Sequence, residues 1–214
     1  MTVKDSNLCI ATKTYTITEP EPIFYEVVSK KDITCFGDND GEIEISVRKG
    51  TGIYTYSWST VNGSGLAIGE TTNPKGLGPG TYKLDLSDGC ETLSFTYEII
   101  EPADLTITLD EKTDILCHGD NTGKIHVTVN GGVAPYTYEW VDNLGNKYNR
   151  DIGNVFNQGN LSNIPFGVYS LKVTDKNGCV ENLQNVELKQ PDELVVNFTK
   201  TDLNCFGVDD GTIT

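Results

Sequence analysis

The chain has 214 residues and carries 16 Lys and Arg against 31 Asp and Glu, so its formal charge is −15. Such an excess of carboxylate repels a polyanion and argues against a nucleic-acid partner. With 22 Gly, 10 Tyr, 7 Phe and 2 Trp it holds too much core-forming material for a disordered acidic tail, and no apolar run approaches the roughly 20 residues that cross a bilayer as a helix.

Taken from the start, Met1 to Leu8 carries Lys4, Asp5 and Asn7 with no apolar stretch behind them, so no secretory signal peptide is expected there. Glu19-Pro20 is the first of several landmarks that return. After this Pro, Ile23, Tyr25 and Val27 alternate with polar residues, as along a strand with one buried face. The turn Cys35-Phe36-Gly37-Asp38-Asn39-Asp40-Gly41 follows, then a second alternating run, Ile43, Ile45, Val47. Tyr54, Tyr56 and Trp58 form an aromatic stripe; Gly80-Thr81-Tyr82 opens a strand continuing through Leu84 and Leu86; Gly89-Cys90 marks a turn; and Glu101-Pro102 closes the series.

The series then repeats. Cys117-His118-Gly119-Asp120-Asn121-Thr122-Gly123 and Cys205-Phe206-Gly207-Val208-Asp209-Asp210-Gly211 copy the first turn at offsets of 82 (117 − 35) and 88 (205 − 117). Leu105, Ile107, Leu109, then Ile125, Val127, Val129, then Tyr136, Tyr138, Trp140, and Tyr169, Leu171, Val173 copy the strands; Leu194, Val196 and Phe198 begin a further copy. Gly178-Cys179 and Gln190-Pro191 complete the second set. A fixed order of landmarks at a fixed period identifies a tandem array. With Pro as the boundary, residues 1–20 are expected to be the last strand of one truncated unit, 21–102 and 103–191 complete units, and 192–214 the opening of a truncated following one. A chain that starts and stops within units is expected to be a piece of a longer repeat protein.

Short alternating strands separated by Gly, Asn, Asp and Pro turns, without helical periodicity, predict an all-β fold: tandem antiparallel β-sandwiches of immunoglobulin-like or fibronectin-III-like type. Tyr82 and Tyr169, each just after a Gly-rich turn, sit where a corner tyrosine would tie a loop to the backbone; plain core tyrosines fit the pattern equally well.

The six Cys (Cys9, Cys35, Cys90, Cys117, Cys179, Cys205) are spaced at 26 residues or more, which disfavours zinc and points to disulfides in an oxidising compartment. Pairing within a unit (35 with 90, 117 with 179) would join turns expected at opposite ends of a sandwich, on the order of 20 Å apart. Pairing across each Pro (9–35, 90–117, 179–205) and a bridge between units (35–179) stay open beside it.

Asp38, Asp40, Asp120, Asp209 and Asp210 gather hard oxygen ligands of the kind calcium requires, yet Asp, Asn and Gly also simply make tight turns, and this reading is preferred. No cofactor is otherwise expected. His118 and His126 recur in no other unit and no catalytic fingerprint is present, so the chain is expected not to be an enzyme. The segment between Trp and the next Gly-x-Tyr varies most, 59–79 in one unit and 141–166 in the other. Its Tyr148, Asn149, Arg150, Phe156 and Asn157 are candidates to touch a glycan or a protein.

The order Cys-x-Gly-x-x-Asp-Gly, Tyr-x-Tyr-x-Trp, Gly-x-Tyr, Asp-x-x-Gly-Cys and Glu-Pro resembles the SprB repeat of large surface adhesins of gliding Bacteroidetes. The resemblance implies export by the type IX route, display at the cell surface outside the outer membrane, neighbouring repeats as the principal partners, no direct membrane insertion, and a non-catalytic adhesive or stalk role, in some members linked to gliding. The competing expectation is a carbohydrate-binding accessory module of a secreted polysaccharide-degrading enzyme.

Overall fold

A computed structural model describes residues 1–67, 69, 72–148, 159–207 and 209–214. The described residues form sixteen strands and no helix. They are β1 (Thr2–Lys4), β2 (Ile10–Thr12), β3 (Ile23–Lys31), β4 (Gly41–Lys49), β5 (Thr55–Thr60), β6 (Lys75–Leu77), β7 (Gly80–Ser87), β8 (Thr92–Ile99), β9 (Thr106–Thr113), β10 (Gly123–Asn130), β11 (Thr137–Asp142), β12 (Leu161–Ile164), β13 (Gly167–Thr174), β14 (Val180–Leu188), β15 (Lys200–Thr201) and β16 (Thr212–Ile213). The chain divides into two compact units, Met1–Pro102 and Ala103–Thr214.

In the first unit, β3-β4-β6 and β5-β7-β8 form two antiparallel three-stranded sheets. The alternation read from sequence decides what they bury: Ile43 and Ile45 from one sheet, Tyr82, Leu84, Leu86, Tyr97 and Ile99 from the other, make one apolar core. Tyr25 of β3 stacks on Phe95 of β8, with ring centroids 3.8 Å apart, across the interface between the sheets.

The second unit repeats this topology with β9-β10-β12 and β11-β13-β14. Ile125, Val127, Trp140, Tyr169, Leu171 and Val173 fill its core. Trp140 is buried and donates its indole N–H to the carbonyl of Gly159 at 2.9 Å, whereas the counterpart Trp58 buries Nε1 without an acceptor among the described residues.

Two expectations need correction. The alternation Ile23, Tyr25, Val27 and Leu105, Ile107, Leu109 loses its buried face at the third position, where Val27 is 44% and Leu109 37% exposed. The register explains it: one extra residue, Val28 or Asp110, interrupts the ladder at the same place in both units, and such a bulge bends an edge strand. Leu194, Val196 and Phe198 form no strand and are exposed. Among the described residues only the two-residue pair β15-β16 follows them.

Candidate functional surface

Each sandwich has two ends, and the recurrent polar residues concentrate there. At the first end lies the Cys-x-Gly turn. Gly37, Gly119 and Gly207 all hold φ near +80°, a left-handed conformation for which Gly carries no Cβ penalty. The final Gly of the motif has a different task. A Cβ on Gly41 would stand 2.8 Å from both Ile99 Cγ2 and the Leu77 carbonyl oxygen, and one on Gly123 would stand 2.7 Å from Leu188 Cδ1 and 2.8 Å from the Ile164 carbonyl oxygen. Two strands therefore pass one another over this glycine.

The acidic residue before it closes the turn. Asp40 accepts from the Thr34 backbone N–H at 2.9 Å, from the Thr34 hydroxyl and from Lys31 Nζ at 2.7 Å. The Lys31 ammonium, followed by the two Thr34 donors, holds its carboxyl far below the usual carboxylate range. Thr122 does the same work in the second unit, its hydroxyl accepting from Leu116 N–H at 2.9 Å, and Asp210 accepts from Asn204 N–H at 3.1 Å. Carboxylate or hydroxyl suffices, because the shared function is to receive one backbone N–H six residues back.

This turn is latched to the last strand of its unit by residues the sequence reading treated as punctuation. Gly37 N–H donates to the Glu101 carboxylate at 2.7 Å, and Gly119 N–H to the Gln190 side-chain oxygen at 3.0 Å. Asp32 accepts from Ile100 N–H at 3.0 Å while Ile33 N–H donates to the Ile100 carbonyl at 3.0 Å. Asp114 and Ile115 repeat both bonds with Lys189, at 3.0 and 2.8 Å. Lys30 and Lys112 donate to the carbonyls of Glu98 and Glu187 at 2.7 and 2.6 Å. The signal was present: Lys30-x-Asp32-Ile33, Lys112-x-Asp114-Ile115 and Lys200-x-Asp202-Leu203 recur at the repeat offsets of 82 and 88.

At the opposite end, buried Asp88 and Asp175 hold the hairpin that carries Cys90 or Cys179. Asp88 accepts from the N–H groups of Cys90, Glu91 and Thr51 at 2.9–3.0 Å; Asp175 accepts from Asn177, Cys179 and Val133 at 2.8–2.9 Å. The backbone donors hold the Asp88 carboxyl below its ordinary value. For Asp175, burial pushes upward, but hydrogen bonds from Val133, Cys179, Asn177 and Gly178 outweigh it and the net shift is also downward.

Tyr82 and Tyr169 resolve as corner tyrosines. Each is fully buried, and its hydroxyl donates back to the carbonyl four residues upstream, Gly78 or Pro165, at 2.7 Å. Tyr82 also donates to the Ser64 carbonyl at 2.6 Å and accepts from Ser64 N–H at 3.1 Å, which pins the variable loop of the first unit.

The candidate contact residues separate in the structure. Tyr148 is partly buried, sets its ring edge-on to Tyr169 at 5.4 Å and donates its hydroxyl to Asp142 at 3.0 Å. Asn149, Arg150, Phe156 and Asn157 lie outside the described residues. Asp38, Asp120 and Asp209 are exposed on the turns, Asp40 and Asp210 are engaged as above, and no group of three or more metal-ligating side chains occurs among the described residues. His118 is exposed with Nδ1 3.1 Å from the Pro191 carbonyl, and His126 is exposed on β10 opposite Glu111.

Cys35 and Cys179 are disulfide-bonded; Cys9, Cys90, Cys117 and Cys205 are exposed free thiols. Neither the within-unit scheme nor the across-Pro scheme is therefore formed. In the first unit the reason is visible: Cys35 sits beside the end of β8 and Cys90 at its start, and the eight-residue strand between them spans roughly 25 Å, beyond the reach of a disulfide.

Paired three-stranded antiparallel sheets with a corner tyrosine define each unit as an immunoglobulin-like or fibronectin-III-like sandwich, in tandem. The SprB repeat model matches residues 27–63 and 109–145, one stretch per unit at the same offset of 82 (109 − 27). No curated protein matches the chain. Solved structures similar to it include the I-band fragment I67–I69 from titin (12% identity, TM-score 0.47, covering 82% of this chain and 68% of that one). A structure concerned with Dscam isoform specificity is also similar (14%, 0.36, 81% and 47%). A third is the C-terminal 282-residue fragment of intimin in complex with the intimin-binding domain of its translocated receptor (14%, 0.40, 80% and 64%). The chain thus spans about half to two thirds of the length of these proteins.

Proposed function

We propose that the chain is a non-catalytic, structural and adhesive repeat segment of a large exported cell-surface protein, in which tandem sandwiches carry the parent outward and their loops meet a surface. The observation that carries this reading is where the recurrent polar side chains spend their bonds. Asp32, Asp40, Asp88, Glu101 and their counterparts all receive N–H or hydroxyl groups of their own unit. What repeats is therefore the means of closing a sandwich. The charge of −15 keeps neighbouring copies of such a module soluble and apart. Attachment and gliding belong to this proposal as roles of the parent protein.

Single-molecule pulling tests the structural role. Under reducing conditions each repeat, 82 residues (117 − 35) in the first and 88 (205 − 117) in the second, unfolds as its own event, lengthening the chain by roughly 25 nm at about 3.4 Å per residue less the folded span. A glycan array run beside it separates the competing class: specific glycan binding by the intact chain would transfer it to carbohydrate-binding modules.

A further inference from the structure

We infer that the outer edge of β5 in the first sandwich receives an extended peptide segment of a partner protein, added to the sheet as a further strand; the partner gives content to the adhesive role proposed above, on which this inference rests. The second sandwich shows how such an edge is covered. There the chain turns between Asp142 and Asn146 and runs back along β11. Tyr148 N–H donates to the Trp140 carbonyl at 3.0 Å, Asp142 N–H donates to the Asn146 carbonyl at 3.0 Å, and Lys147 lies opposite Val141. Asn146-Lys147-Tyr148 thus covers the edge of the β11-β13-β14 sheet.

The first sandwich has no such cover among its described residues. Its β5 keeps the register of β11: Trp58 faces Leu84 as Trp140 faces Leu171, and Thr60 faces Tyr82 as Asp142 faces Tyr169. In an antiparallel ladder alternate residues turn their backbone groups away from a given neighbour, so the Trp58 carbonyl and the Thr60 N–H point away from β7, and no described residue bonds to either. The chain takes another course after Thr60. Gly63 packs against the Tyr82 ring, where a Cβ would stand 2.5 Å from Cζ, and the Ser64 carbonyl receives Gly78 N–H at 3.1 Å. The loop therefore crosses the end of the sandwich toward β6 instead of returning along β5.

Two further observations mark this edge as a place for a ligand. The first is the buried Trp58 Nε1, which has no acceptor among the described residues, whereas Trp140 Nε1 has the Gly159 carbonyl. Asn73 and Asn160, which accept from Ile45 and Val127 N–H at 3.0 and 2.8 Å, align Thr72 with Gly159. A Cβ at Gly159 would stand 2.5 Å from Val127 Cγ2, so a Thr cannot bring its carbonyl to the same place without displacing that strand's side chain. Tyr25 of β3 stacks on Phe95 of β8, which puts β5 and β6 along the opposite side of the sandwich, and the unmet indole lies behind the bare edge there.

The second is charge. From Gly50 to Gly69 the sequence has no Asp, Glu, Lys or Arg, in a chain of which 22% is charged, while the matching stretch of the second unit holds Glu139, Asp142 and Lys147. Edge strands are ordinarily guarded by charged side chains, Pro or a bulge, and Thr55–Thr60 has none of the three. Exposed Ile53 and Val61 flank it. A bare edge of this kind binds an added strand through main-chain bonds. The occupant is poor in acids and carries Lys or Arg, as the covering Asn146-Lys147-Tyr148 does, because it approaches a chain of charge −15. A second copy would bring the same negative charge and is excluded by the repulsion that keeps copies apart.

The test is a random dodecapeptide library displayed on phage and selected on the intact, unreduced chain, with the enriched peptides synthesised and titrated into 15N-labelled chain. Enriched peptides should be poor in acids and free of Pro over about five or six residues, a strand's length, and should bind with Kd between about 1 μM and 1 mM. With peptide bound, the Tyr56, Trp58 and Thr60 amides should exchange at least tenfold more slowly, and the Trp58 indole signal should shift while that of Trp140 stays. N-methylation at alternate peptide residues should weaken binding at least tenfold in one phase and spare it in the other, as pairing along one strand edge requires. Ser57→Lys combined with Ser59→Lys, both on the exposed face of β5, should weaken binding at least tenfold with the melting temperature unchanged. No enrichment above a bare surface, shifts centred away from β5, N-methyl effects without alternation, or edge amides already protected in the free chain overturns the inference. Such a failure leaves the stepwise unfolding of the repeats as it was, whereas loss of those steps with peptide binding retained falls on the stalk role alone.

Discussion

The two corner tyrosines make unequal attachments, and their removal should therefore have unequal costs. Tyr169→Phe deletes the bond to the Pro165 carbonyl at 2.7 Å and the hydrogen bond with Tyr148, which keeps Asp142 as a partner, so the Pro165 carbonyl is the one group that loses its donor beside a fully buried ring. A net loss of about 1–1.5 kcal/mol is expected for one such bond. Tyr82→Phe deletes more, because the hydroxyl accepts from Ser64 N–H and shares its proton between the carbonyls of Ser64 and Gly78, the latter buried. Two bonds are lost and a buried carbonyl is left without its donor, which sets the cost at about 2–3 kcal/mol. In a domain of 60–100 residues each kcal/mol moves Tm by about 4–8 °C, so the first unit should melt roughly 10–20 °C lower and the second by about half that. Thermal melts give the size, and hydrogen exchange by mass spectrometry assigns the loss to a unit. In Tyr82→Phe, protection should fall in β7 and in the described part of the loop before it, and stay unchanged in β13. Equal costs for the two substitutions, or less than about 0.5 kcal/mol for either, would refute the assignment of these hydroxyls as loop anchors.

Acid should destabilise the fold through the capping carboxylates. Asp40, Asp88 and Asp175 have folded values below the ordinary one, so their contribution is present above about pH 4 and is lost as pH falls through the folded values. The urea midpoint should drop on that limb, and Asp175→Asn should flatten it. The opposite sign holds for Tyr82 and Tyr169, whose burial raises them above 10.0: their contribution is present below that value and is lost as pH rises toward the folded ones. Phenolate absorbance should consequently appear together with unfolding. Gly123→Ala should lower the urea midpoint of the second unit by about 1–3 kcal/mol equivalent, since its methyl meets the Ile164 carbonyl at 2.8 Å. Iodoacetamide without reductant should modify Cys9, Cys90, Cys117 and Cys205, and peptide mapping should find Cys35 and Cys179 modified only after reduction.

The strands were legible because their cause is local. Alternation such as Ile43-Glu44-Ile45 says which face is buried without reference to any partner, and the repeat period confirms each strand by a second copy. Legibility ended where a side chain answers to something distant in sequence. Glu101 and Gln190 read as residues before a boundary Pro, yet each reaches back more than sixty residues to a turn amide. The bulges at Val28 and Asp110 were hidden because an extra residue in an apolar-polar alternation is invisible until the ladder shows what it faces. The two roles of Tyr82 could not be separated by pattern, since core packing and a hydroxyl anchor demand the same residue at the same place.

The substitution of Asp by Thr at position 122 bears directly on what the turn motif is for. A calcium site assembled from the turn acids would lose a charged ligand there, and a neutral hydroxyl replaces a carboxylate poorly. A capped turn loses little, because Thr122 still receives the backbone N–H that Asp40 and Asp210 receive in their turns, at 2.9 Å against 2.9 and 3.1 Å. What Asp40 adds beyond the cap is the ion pair with Lys31, on an exposed surface where such pairs contribute little. At position 113, where the second unit would need the equivalent of Lys31, there is Thr, so the partner of that ion pair and the carboxylate change together. Position 201, the equivalent in the last turn, is also Thr, and there Asp210 takes the Asn204 side-chain amide at 2.6 Å as its second donor. The element common to all three turns is one accepted N–H, and the rest of each acid's surroundings varies around it.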